Sequence, residues 1–188
     1  MIPEQRLSTT PVRGRLLNPW SRNDRVSFHR GPVALSDTSQ GLMARMWRLR
    51  ALDGGLFLGP TDGAESLLLT TAGIASECSL AFDQLGRPSA AFIEAGVPKL
   101  YWFDSVAQAF VTDTLAAGTI NPRITLDDAR ENYAPSSDII LGYVRAGGLY
   151  YRQQRDRFTV ERLLREPAGG LSHISMADNL RLHFLVRA

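Results

Sequence analysis

A short phrase recurs along this chain at a spacing that restricts the folds it can adopt. VALSD (33–37), SLAFD (79–83) and ITLDD (124–128) each carry a closing aspartate, and Asp37, Asp83 and Asp128 stand 46 and 45 residues apart. Each phrase is followed by a longer stretch of the same texture: LMARMWRLRALDGGLFLGPTDGAESLLLTTAG (42–73), SAAFIEAGVPKLYWFDSVAQAFVTDTLAAG (89–118) and DIILGYVRAGGLYYRQQRDRFTVERLLREPAGG (138–170). A tight-turn signal sits at the same place in all three, DGG (53–55), AGVPK (95–99) and AGG (146–148), and an apolar or aromatic run follows it: GLFLG, KLYWF and GLYYR. Each unit exits through small residues. The pattern predicts four short strands per unit: an opening strand, a central apolar strand, an aromatic strand after a tight turn, and an outer strand after a polar loop.

Four antiparallel strands in about 45 residues is the period of a β-propeller blade. The expected fold class is therefore all-β, with three blade-like four-stranded antiparallel repeats at about 31–73, 74–118 and 119–170, and a C-terminal strand within 171–188. A β-sandwich of similar meanders is the alternative. In the tail, Leu180, Leu182, Phe184 and Val186 alternate with Arg181, His183, Leu185 and Arg187, the two-residue period of a half-buried strand. Closed propellers use about 4–8 blades, so three cannot close alone and would leave sheet edges unpaired. Self-association or incorporation in a larger assembly is the consequence.

Residues 1–30 read differently. Pro3, Pro11 and Pro19 break any helix, and the segment predicts an extended arm preceding a β-repeat domain at 31–188. Its six arginines face only Glu4 and Asp24, a local charge of +4, whereas residues 31–188 carry 15 Lys and Arg against 17 Asp and Glu, a local −2. A mildly acidic body with a basic arm argues against a broad nucleic-acid interface. It suits docking on a neighbour, with Trp20, Arg13 and Arg15 as expected contacts. No apolar run approaches the ~20 residues of a membrane helix, no signal-peptide core is present, and Cys78 stands alone. A buried structural thiol is its expected state, and synthesis in a reducing cytoplasm is the expected setting.

No catalytic constellation emerges. His29, His173 and His183 lack metal-ligand spacing. Asp127 and Asp128 would point to opposite faces of a strand, which suits a turn or cap rather than a paired acid and base. The loops GPTDGAE (59–65), FDSVAQA (103–109) and QQRDRF (153–158) lack the Ser-x-Asp-x-Gly-x-x-Trp box of propeller glycosidases. The expectation is no enzyme, no cofactor and no metal. The strand aromatics Trp47, Tyr101, Trp102, Tyr143, Tyr150 and Tyr151 read as core between sheets rather than as ring-stacking platforms. In the third unit Leu149, Tyr150 or Tyr151, Phe158 and Val160 are expected to pack on neighbouring sheets. The turn Arg155-Asp156-Arg157 has no counterpart in the sister units, and it is the expected partner contact of the body.

The run DIILGYVRAGGLYYRQQRDRFTVERLL, preceded by SLAFDQLGRPSAAFIEAGVPKLYWFD, resembles virion structural proteins of tailed bacteriophages, small β-rich components of the tail or its tip. The resemblance covers about residues 75–165, and it is one of texture and phrase, so no functional residue is carried over. It implies a structural role in the tail or baseplate region of a virion, with partners among copies of the chain and other tail proteins. A receptor- or carbohydrate-binding module of the tail, contacting a host-surface glycan, is the alternative.

Overall fold

The computed structural model describes residues 26–30, 46–83, 85–127, 138–176 and 182–187. Among them the protein is all-β, built of antiparallel sheets, none closed into a barrel. Sheet I runs in the order β1 (Val26–Arg30), β2 (Met46–Leu52), β3 (Gly55–Pro60), β4 (Ser66–Thr70). Sheet II is β5 (Ala75–Phe82), β6 (Pro88–Glu94), β7 (Val97–Asp104), β8 (Ala109–Thr114), and sheet III is β9 (Ile120–Leu126), β10 (Ile139–Arg145), β11 (Gly148–Gln153), β12 (Arg162–Arg165). All three are meanders in which sequence neighbours pair. Sheet IV holds two strands, β13 (Gly170–Met176) and β14 (Leu182–Arg187).

Local chemistry explains the meanders. The β6–β7 and β10–β11 connections are two-residue turns, Ala95-Gly96 (φ 48° and 82°) and Ala146-Gly147 (φ 49° and 77°). Two successive left-handed residues match the right-handed twist of the flanking strands. Such a turn also sets register, pairing Glu94 with Val97 and Arg145 with Gly148.

The sheets stack face to face, and alternation along each strand assigns its residues to one interface or the next. Leu49, Leu56 and Leu58 of sheet I meet Leu80, Phe82, Phe92 and Tyr101 of sheet II. The opposite face of sheet II sends Ala81, Ala91, Leu100 and Trp102 against Ile124, Ile139, Leu141, Tyr143 and Phe158 of sheet III. The far face of sheet III contributes Ile140, Val144 and Leu149, covered by Leu171, Ile174, Phe184 and Val186. Sheet III is thus buried on both faces, so β10 reads as the unbroken apolar run IILGYV. Each large apolar side chain so buried contributes roughly 1.5–3 kcal/mol. The first strands of successive sheets lie side by side, β1 on β5, β5 on β9 and β9 on β13.

Three expectations change in detail. The opening strand of sheet I is Val26–Arg30, within the segment read as arm, while VALSD (33–37) lies outside the described residues. VSFHR alternates apolar and polar residues as a strand should, a signal masked in sequence by the prolines upstream. Second, the counterpart of Asp83 is Asp127 rather than Asp128. Asp83 N–H donates to Arg87 O (2.9 Å) and its Oδ1 accepts from Arg87 N–H (3.0 Å). Asp127 repeats both bonds with Asp138 (2.8 and 2.6 Å). Aligning Asp83 with Asp128 would pair Leu80 with Thr125, although Leu80 and Ile124 each face the preceding sheet; a one-residue slip exchanges faces. Third, the tail holds two described strands instead of one, because a register shift between Leu171 and His173 hides the alternation of β13.

The close approach of sheet IV depends on Gly142 of β10. A Cβ there would stand 3.1 Å from both Leu171 Cδ2 and Phe184 Cε1, and 3.4 Å from Ile174 Cγ2. Gly142→Val is expected to lift the β13–β14 hairpin and destabilise the protein by about 1–3 kcal/mol, measured by urea unfolding; Gly142→Ala should cost less.

Candidate functional site

The Arg155-Asp156-Arg157 turn has an unusual backbone. Gln154–Asp156 form one 3-10 turn, after which Arg157 and Phe158 are both left-handed, φ 51° and 55°. Two consecutive non-glycine residues in that region each carry a steric cost, and buried packing offsets it. Phe158 is buried, with its ring edge-on to Trp102 at 5.0 Å and 80°. Arg152 Nη1 donates to Phe158 O at 3.0 Å.

The three charged side chains are paired within the chain. Arg155 Nε donates to Asp138 Oδ2 at 2.7 Å and Nη2 to Asp127 Oδ2 at 3.0 Å, while its N–H caps Asp138 Oδ1 at 2.8 Å. Arg157 bonds Asp104, at the end of β7 in sheet II, and Asp156 meets Arg162 at 2.6 Å. The turn therefore laces sheet III to sheet II. Burial raises the Asp138 carboxyl from its ordinary value, by more than Arg155 draws it down. At Asp104 burial also pulls upward, but the Val106 and Ala107 N–H groups and Arg157 outweigh it and hold the carboxyl low. Trp20, Arg13 and Arg15 lie outside the described residues.

Beside the turn, the outer parts of sheets II and III enclose a cleft of about 610 Å³. Trp102, Leu115 and Phe158 form its apolar floor; Asp113, Arg152 and Arg157 line its rim. Trp102 Nε1 donates to Asp113 Oδ2 at 2.7 Å. Behind the rim lies a four-residue network. Tyr143 O–H and the Arg145 guanidinium donate to Glu161, and Arg152 donates to Tyr143 Oη (2.8 Å) and Glu161 Oε2 (3.2 Å). Burial, then the Glu161 carboxylate, pushes the Tyr143 phenol well up. Burial also raises the Glu161 carboxyl, but its three donors together hold it below its ordinary value. Arg145 and Arg152 lie over the Tyr150 and Tyr143 rings at 5.3 and 5.7 Å. These four side chains are paired with one another.

A second polar cluster occupies the first-strand seam. Arg123 of β9 is buried, and its guanidinium donates to Pro122 O (2.9 Å), Ser172 O of β13 (3.4 Å) and Glu77 O of β5 (3.5 Å). Glu77 Oε2 stands 3.6 Å from Arg123 and accepts from Asn121 Nδ2 at 2.8 Å. Glu77 (φ 47°) and Asn121 (φ 49°) are left-handed residues where β5 and β9 depart from regular pairing. His173 joins the cluster from β13, and burial, then Arg123, lowers its pKa from 6.5 to about 4.

Of the sequence expectations, Cys78 is buried, its Sγ 3.7 Å from Leu49 O. Tyr101, Trp102 and Tyr143 are core, with Trp47, Tyr150 and Tyr151 packed at its margin. Val160 is 45 % exposed, contrary to expectation, because residues 159–161 leave the strand alternation after the left-handed turn. Neither polar network was anticipated. A lone arginine in the apolar phrase PRITL was the available signal for the seam. Among the described residues no group of three or more His, Cys, Asp or Glu is arranged to hold a metal ion. Compared with protein-family models, curated proteins and solved structures, the chain matches none.

Two outcomes follow from the seam. Arg123→Met leaves carbonyls of three sheets and the Glu77 carboxylate without this donor and is expected to cost about 3 kcal/mol in chemical denaturation; adding Glu77→Gln should restore part of it. For His173, the unfolded chain binds a proton near 6.5 and the folded chain only near 4. Its contribution to stability is thus intact above pH 6.5 and declines as pH falls from about 6.5 to 4. His173→Gln should flatten that limb of a stability–pH profile, and an unchanged profile would show that burial does not suppress the proton.

Proposed function

We propose that the chain is a structural component of a bacteriophage tail or baseplate region, assembling with itself and with neighbouring virion proteins. The observation that carries this reading is the width of the fourth sheet. Sheets I to III each have four strands; sheet IV has two and ends on β14 with no described strand beyond it. A sheet with an open second strand calls for completion by another element.

The finer architecture belongs to the same proposal. First strands stacked along one line, with each meander running away from it, is the arrangement of propeller blades. The described sheets, three of four strands and one of two, are fewer than the blades with which propellers close, and this supports an array completed on assembly. The resemblance of residues 75–165 to tail structural proteins points the same way. The Arg155-Asp156-Arg157 turn then acts as an internal lace that holds blades at a fixed angle, rather than as a free contact.

The alternative, glycan recognition by the same tail part, draws on an aromatic step beyond the first interface. Phe110, 41 % exposed, stacks on Tyr101 at 5.0 Å, with Phe103 edge-on and Arg87 over the Phe103 ring at 3.9 Å. Such rings suit sugar faces. Binding to host-surface glycans that is lost in Phe110→Ala would select this role.

For the leading reading, light scattering on the purified full chain should return the mass of several copies. Antibodies against the chain should label the tails of particles from producing cells. Particles that lack the protein would refute the virion assignment.

A further inference from the structure

The three complete sheets show what sheet IV lacks. In each of them the second strand is followed by an apolar or aromatic third strand and a short fourth: β3 and β4, β7 and β8, β11 and β12. Sheet IV stops at the second position, so the outer backbone edge of β14 has no ladder partner among the described residues. The place where a third and fourth strand would lie is bounded below by the β11–β12 part of sheet III. Tyr151 there is only partly covered, and Arg162 stands over its ring at 5.6 Å. Pairing puts Arg165 opposite Leu149, on the same face as Tyr151. Arg165 and Arg187 at the end of β14 are exposed, and Leu185 is 62 % exposed on the outer face. The unfilled position is thus an open β edge over an aromatic floor with a basic rim.

We infer that β14 is a strand-acceptor edge for an acidic, aromatic-bearing β-hairpin supplied by a different polypeptide, which completes sheet IV to four strands. Backbone pairing along β14 gives such a hairpin its affinity, and alternate side chains meeting Tyr151 and the arginines give it selectivity. Carboxylates on the incoming strands answer Arg165 and Arg187, beside Arg162, which Asp156 already holds at 2.6 Å. This inference rests on the assembly reading above and names the partner chemistry. Its test uses purified protein alone, so it stands or falls separately from association with particles.

Hydrogen exchange of the full chain at low and high concentration is the first measurement. The outward N–H groups of β14 should exchange rapidly at both. Protection at every concentration would show that the chain fills its own edge, and protection that grows with a dimer mass would assign the edge to a second copy; either result overturns the inference. The second measurement is fluorescence polarisation with a labelled synthetic peptide, KLYWFDSVAQAFVTDT. This is the chain's own β7–β8 hairpin (99–114), which has the required aromatics and two aspartates. Binding should weaken with added salt, protect the β14 amides, and fall at least tenfold in Arg165→Glu, which alters an exposed side chain, and in Arg162→Glu. Absence of binding up to millimolar peptide, or binding that both variants leave unchanged, would overturn it.

Discussion

The structure depends on one buried guanidinium. Arg123 sits where the first strands of sheets II, III and IV meet, and it joins them through carbonyl oxygens of Glu77 and Ser172. A buried charge is costly unless paired and hydrogen-bonded. Here Glu77 stands near it, itself held by Asn121. The left-handed backbone at Glu77 and Asn121 belongs to the same seam. Apolar packing alone would let the stacked faces slide over one another; directional bonds at the seam define how the first strands meet.

Away from that seam the meanders run outward, and the character of the contacts changes. Close to it, Leu, Ile, Ala and Phe fill the gaps between sheets. Farther out, charged laces take over: Arg157 to Asp104 between sheets II and III, Arg155 to Asp127 and Asp138 within the β9–β10 connection, and the Tyr143–Glu161–Arg145–Arg152 network. These partly exposed pairs are individually modest. Their role is geometric, since a bidentate or multiply bonded arginine restricts the angle between two sheets more than a hydrophobic contact does. The left-handed pair Arg157-Phe158 fits this picture. Phe158 enters the core and Arg157 reaches the neighbouring sheet from adjacent positions, which a regular strand could not arrange.

How much of this was legible in the sequence varies with the physics. The hairpins were, because Ala-Gly and Asp-Gly pairs between apolar runs encode two-residue turns locally. The burial of Tyr101, Trp102, Tyr143, Leu149 and Phe158 was also legible, since aromatics at equivalent repeat positions imply a shared interface. The one-residue offset at Asp127 was not. Asp127 and Asp128 are chemically identical, and only pairing with Asp138 distinguishes them. The in-chain partners of Arg155-Asp156-Arg157 were hidden for a related reason. Charge in a turn looks available until Asp104, Asp127 and Asp138 are brought to it from 53, 28 and 17 residues away by the stacking of sheets and strands.

By itself the amino-acid sequence determined the repeat, the strands within it and the turns that join them, because these rest on alternation and on backbone preferences that act over a few residues. Tertiary structure alone decided which sheets share an interface, that Arg123 and His173 meet at a common seam, and that the last sheet stops at two described strands. Those outcomes depend on contacts between residues about 40 to 50 positions apart, for which a local pattern contains no instruction; the physical reason is that a buried arginine and an open strand edge are defined only by what lies across from them.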